Sequence, residues 1–143
     1  MTPSDALERL VHLHGSLERY GVEHRALCGV DAPDPVAIGR VRWRIASASL
    51  HRMDLLTGIV FPMVEHRGTG LEREAVGILR SGTSTYRGEV SKYVSRWSTS
   101  AVVADWATYR GEAKRFRAQV AARLTREHEL LVPLLRRASI RPS

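Results

Sequence analysis

WATYRGEAKRFRAQVAARLTREHELLVPLL (residues 106–135) keeps one helical phase from end to end. Trp106, Tyr109, Ala113, Phe116, Val120, Arg123, Glu127, Leu130 or Leu131, and Leu134 recur at alternating steps of three and four. That spacing puts them on one face of an amphipathic α-helix, with Arg and Lys filling the other. The face is apolar except at Arg123 and Glu127. Burying such groups costs several kcal/mol unless they are paired, so they are expected to meet each other, water or a ligand.

Working back along the chain, Ser98-Thr99-Ser100 is a cap-rich turn, so this helix is expected over about 101–138, with Pro133 near its end. The preceding helix, about 71–97, carries Tyr86, Val90, Tyr93 and Trp97 inward but contains Ser81-Gly82-Thr83-Ser84-Thr85. One helix bent near Gly82, or a short helix followed by a longer one, both fit that stretch. A helix over about 35–65 starts with Asp34 as cap and Pro35 at its first position, and ends near Gly68-Thr69-Gly70. Pro62 should kink or fray its last turn. Its inward stripe is Val41, Ile45, Ala48, Arg52, Leu55 or Leu56, Ile59 and Met63. The first helix, about 5–28, takes Ser4 as cap and stops at Gly29; Leu7, Leu10, His14, Leu17, Gly21, His24 and Cys28 face inward.

No segment alternates long enough to make a sheet. Four inward stripes on helices roughly 35–50 Å long, joined by short loops, predict an all-α, antiparallel up-down-up-down four-helix bundle. Residues 1–143 are expected to form one domain, since 143 residues is an ordinary single-domain length. The balance of 43% hydrophobic and 26% charged residues is that of a globular chain. Cys28 is the sole cysteine, which excludes an internal disulfide and a cysteine-based metal cluster. Residues 1–5 lack a basic stretch followed by an apolar run, and no apolar run is long enough to span a bilayer. The expectation is a cytoplasmic protein with no membrane association. Lys and Arg number 22 against 15 Asp and Glu, a formal charge of +7. The cations are scattered Arg residues without a basic tail or recognition motif, which disfavours nucleic acid as partner.

Two segments resemble the hemerythrin-like (HHE cation-binding) family. One is His51-Arg-Met-Asp-Leu-Leu-Thr-Gly-Ile-Val-Phe61-Pro62; the other is Arg123-Leu-Thr-Arg-Glu127-His-Glu-Leu-Leu-Val-Pro133. Both look like the family's repeat, in which His-x-x-x-Glu precedes a Leu-aromatic-Pro-Leu ending. The stretch from Trp97 through Trp106 and Tyr109 to Phe116 is similar to a bacterial branch. The resemblance implies a four-helix bundle around a non-heme di-iron centre. Its ligands are a His on helix 1, His-x-x-x-Glu on helix 2, a His on helix 3 and His-x-x-x-Glu or Asp on helix 4. In this chain His14 matches the first. Aligned on Pro62, the second pair falls at Arg52 and Leu56, with His51 one residue out of register. The third helix has no His. Aligned on Pro133, the last pair falls at Arg123 and Glu127. His14 and Glu127 remain, and two ligands do not hold a di-iron site.

The replacements suggest a metal-free polar core in which Arg52 and Arg123 pair with Glu127 beside His14. The same cations and His14 could instead form an anion pocket. His12, His24 and His66 show no partner in the sequence. The Trp and Tyr residues, Trp43 included, read as core, and Cys28 as an inert thiol. No nucleophile–base pair is visible. The expected function is therefore a non-catalytic, hemerythrin-like binding or signalling module without cofactor, serving a small anion or a protein partner, with a homodimer compatible. The alternative is a hemerythrin-like iron protein sensing or carrying dioxygen or nitric oxide through His14, Glu127 and His51.

Overall fold

A computed structural model describes residues 1–141 of the chain; the last two positions of the expected domain, Pro142 and Ser143, lie outside the described residues. All regular structure among the described residues is helical. The elements are α1 (Pro3–Cys28), α2 (Pro35–Leu55), a π-helical segment (Leu56–Val60), α3 (Phe61–Arg67), α4 (Gly70–Arg96), α5 (Thr99–Ala104) and α6 (Trp106–Ile140). None is long and apolar enough to cross a membrane.

The first helix begins earlier than expected because Thr2, not Ser4, caps it. Thr2 Oγ1 accepts the Asp5 N–H at 3.1 Å, and Asp5 Oδ2 accepts the Thr2 N–H at 3.1 Å, closing a reciprocal box. Pro3 then takes the first helical position, where a missing N–H costs nothing. Asp34 caps α2 as expected, accepting the Ala37 N–H at 3.1 Å.

Pro62 acts upstream of itself. The helix expected over 35–65 widens into the π segment, where the Phe61 N–H reaches back five residues to the Leu56 carbonyl. Proline has no N–H to donate and its ring crowds the carbonyl four residues before it, so one extra residue in the turn relieves the clash. The insertion advances the inward phase by one. Val60, Phe61 and Val64 are buried, while Ile59 and Met63, the expected inward pair, are half-buried.

The helix α4 runs unbroken across Gly82. Its buried row of Glu72, Val76, Leu79 and Thr83 keeps one phase through the small-residue stretch. Thr83 bonds back to the Leu79 carbonyl at 2.9 Å, which occupies its hydroxyl without breaking the helix. The last expected helix, 101–138, is instead two: the chain breaks at Asp105, with φ −136° and ψ 63°. The break seats Val102 and Trp106 in one cluster while the Trp106 indole donates to the Val30 carbonyl at 3.0 Å. Pro133 lies inside α6, which continues to Ile140.

The buried apolar residues group by level. Ala6 and Leu10 of α1 meet Leu55 and Leu56, Val76 and Leu79 of α4, and Leu131 and Leu135 of α6. Cys28, at the far end of α1, meets Ile38 of α2, Trp97, and Trp106, Tyr109 and Ala113 of α6. Leu17, Ala48 and Leu124 lie between them. Trp43 departs from the expectation of a core aromatic. It is 71% exposed, at the rim of an outer groove between α1 and α2.

Candidate functional site

Each of the four long helices contributes to one buried polar cluster centred on Glu127. Its carboxylate is fully buried and has three neighbours from three helices. His14 Nε2 of α1 lies 3.1 Å from Oε1, Arg52 Nε of α2 lies 3.3 Å from Oε1, and Arg123 Nε of α6 lies 2.7 Å from Oε2. The i,i+4 spacing of Arg123 and Glu127 sets the last contact locally; the others cross between helices. Helix α4 closes the far side. Arg123 Nη2 donates to Thr83 Oγ1 at 3.1 Å and to the Leu79 carbonyl at 3.3 Å. A Cβ at Gly82 would stand 3.4 Å from Arg123 Nη1, in ordinary van der Waals contact. Both guanidiniums also lie over the Tyr86 ring, at 5.3 Å for Arg52 and 5.7 Å for Arg123.

Arg52 is held less well than Arg123. Its Nε is close to Glu127 but not aligned as a hydrogen bond, its Nη1 has no partner, and its Nη2 faces the Met53 sulfur at 3.6 Å. His14 presents Nε2 to the carboxylate and leaves Nδ1 buried without a partner. Burial alone would push the Glu127 carboxyl up. The hydrogen bonds from His14 and Arg123 and the charges of Arg52 and Arg123 outweigh it, so Glu127 sits below the usual carboxylate range.

Thus His14, Arg52, Arg123 and Glu127 are brought together, and His51 is not. His51 is exposed and lines a shallow groove of about 200 Å³ with His12, Tyr20 and Trp43 on the outer side of α1 and α2. His128 lies on the exposed side of α6, its ring 5.8 Å from that of His14. The donor set does not fit a transition metal. Guanidinium groups carry no lone pair for ligation, and they stand against both oxygens of Glu127. Among the described residues no three His, Cys, Asp or Glu side chains converge on a point that could hold a metal ion.

Two further polar groupings were not legible from the sequence. His24 has partners after all: Nε2 lies 2.7 Å from the Tyr109 hydroxyl, and Arg117 Nη1 lies 3.0 Å from Nδ1. Burial first, then the charges of Arg117 and Arg42, depress its pKa to about 4. The ring is therefore neutral near pH 7, with Nδ1 accepting from Arg117 and Nε2–H donating to Tyr109. Cys28 Sγ lies 3.8 Å from the same Nε2. This pair is not a thiolate–imidazolium couple, because burial raises the thiol and lowers the imidazole, and both shifts favour the neutral forms. The phase of α1 places His24 inward, which was the available signal; its partners lie on α6. The second grouping is at the other end, where buried Glu72 is held by Arg137 Nε at 3.2 Å and by Arg141 at 2.8 and 2.9 Å. The bond from Arg141, the largest cause, lowers Glu72 to about 2.

No family model, no curated protein and no solved structure matches the chain.

Proposed function

We propose that this chain is a non-catalytic binding or signalling module, built as an antiparallel four-helix bundle of hemerythrin-like form. In this reading an Arg–Glu–His cluster stands where that family holds its metal. The grouping of opposite helix ends into common apolar levels supports the up-down-up-down arrangement. The observation that carries the reading is the occupancy of Glu127: both carboxylate oxygens are taken, one by Arg123 and one by His14 and Arg52. A carboxylate neutralised by permanent cations has no call on a metal for charge balance. The fit of four helices to one internal ion cluster favours a scaffold that presents its outer surface to a partner, with the cluster fixing helix register.

The test is elemental metal analysis of tag-free protein purified without chelator, with an optical spectrum of the same sample. Folded, helical protein with far less than one metal per chain is the expected result. Near-stoichiometric iron with near-ultraviolet charge-transfer bands would overturn it and restore the iron-dependent reading through His14, Glu127 and His51.

A further inference from the structure

The end of the molecule away from Glu127 carries an uncompensated cationic groove. The last turn of α1 and the first half of α6 bound a volume of about 500 Å³, within the range of small-molecule sites. Arg25, Arg110, Lys114 and Arg117 line it, and no carboxylate does. Among the described residues seven of the eighteen Lys and Arg outside the groove pair with acids: Arg44 with Glu23, Arg80 with Glu65, Arg96 with Glu112, Arg137 and Arg141 with Glu72, and Arg52 and Arg123 with Glu127. Among the described residues none of the four groove cations has such a partner.

The α6 cations are arranged. Arg110, Lys114 and Arg117 stand at i, i+4 and i+7, so they form one row two turns long. Two of them are fixed by neutral acceptors that leave their charge unspent. Arg110 Nε donates to the Cys28 carbonyl at 2.6 Å, and Arg117 Nη1 donates to His24 Nδ1 at 3.0 Å. Each guanidinium keeps further N–H groups to offer, since the fork has five donors. Small residues, Ala107 and Gly111, form the wall beside the row, and a Cβ on Gly111 would meet nothing within 4 Å. Capping of the α1 C-terminus explains Arg25 and Arg110. It does not explain Lys114 and Arg117, which continue the row back alongside α1, where Arg117 meets the His24 ring and not a terminal carbonyl.

We propose that this groove binds a small molecule bearing phosphoryl groups, with Arg110 and Arg117 clamping phosphoryl oxygens and Lys114 and Arg25 adding charge at the rim. Guanidiniums fixed by one hydrogen bond keep the planar fork that matches phosphate oxygens bidentately, and less side-chain freedom is lost on binding. The site is separate from the Glu127 cluster and stands whether or not that cluster holds a metal.

The probe is inorganic pyrophosphate, titrated into the full chain at about 150 mM NaCl, with calorimetry and amide and side-chain NMR. Saturable binding of one pyrophosphate per chain is expected, with shifts centred on Arg110, Lys114, Arg117 and His24. Arg117→Gln and Gly111→Glu should each weaken it about tenfold or more, as loss of a charge-assisted contact does. Arg44→Gln, remote from the groove, should leave it unchanged. Gly111→Glu adds its side chain into open space, so circular dichroism matching the parent is expected; this variant decides the matter even if Arg117→Gln fails to fold. A linear, non-saturating response shared with sulfate would overturn the proposal. So would shifts centred elsewhere, parent-like binding by Gly111→Glu, or binding of duplex DNA or anionic vesicles without saturable pyrophosphate binding.

Discussion

Replacing Glu127 by Gln keeps the volume of the side chain and removes the one negative charge in the cluster. Glu127 and Arg52 are both fully buried, and Arg123 is 11% exposed, so water cannot take over the lost role. Arg52 is then an unpaired buried cation, and removing one member of such a pair costs about 3–5 kcal/mol. Arg52→Met should behave differently. It removes a guanidinium with one unpartnered nitrogen and one misaligned one, and leaves Glu127 still bonded to Arg123 and His14. Its loss of the contact over Tyr86 is worth about 1 kcal/mol, and relief of the buried charge offsets it, so the net change should stay within about 1 kcal/mol. The Arg52→Met/Glu127→Gln double variant should be more stable than Glu127→Gln alone, because the unpaired cation is gone. Urea unfolding at neutral pH, followed by far-ultraviolet circular dichroism, reads all three. If Arg52→Met costs as much as Glu127→Gln, or the double variant is the least stable of the set, the charge-balance account of the cluster fails.

His24 is held to about 4 in the fold against about 6.5 in an open chain. The unfolded state therefore binds the extra proton first, and stability falls as pH drops through that window. The loss should be about 2 kcal/mol between pH 7 and pH 5, and His24→Gln should flatten it. Glu72, lowered from 4.5 to about 2, adds a second loss as pH falls through that lower window; Glu72→Gln should abolish that component in acid unfolding curves. Gly68→Ala should cost about 1–3 kcal/mol by urea or thermal unfolding, because a Cβ there would stand 2.5 Å from the Val64 carbonyl oxygen. Trp43 should carry the fluorescence that acrylamide quenches readily, since Trp97 and Trp106 are 3% and 8% exposed. Trp43→Phe should remove that component and change stability by no more than about 0.5 kcal/mol.

The helical class, the inward row of α1, and the Arg123–Glu127 contact could all be read along the chain, because helix periodicity and i,i+4 neighbours are local properties. So could Asp34–Pro35 as a helix start. The π segment could not be placed from Pro62 alone. Proline forces a local adjustment, but whether the turn kinks, frays or widens depends on which residues must reach the core beyond it, here Val60, Phe61 and Val64. Continuity across Gly82 was equally undecided, since small polar residues permit either outcome until Thr83 and Arg123 are packed together. The break at Asp105 follows from seating Trp106 against the Val30 carbonyl, a partner 76 residues away.

For the site, sequence alone marked His14, Arg52, Arg123 and Glu127 as polar residues on inward faces. Their spacing carried no information on which charge would meet which. Only the packing of α1, α2, α4 and α6 puts two guanidiniums and an imidazole on one carboxylate and leaves His51 on the outer surface. The same holds for the cationic groove and for His24 with Tyr109, whose members come from the end of α1 and the start of α6. Periodicity specifies the face a residue shares with its own helix. The partner across the interface is set by how the helices dock, which no single helix encodes.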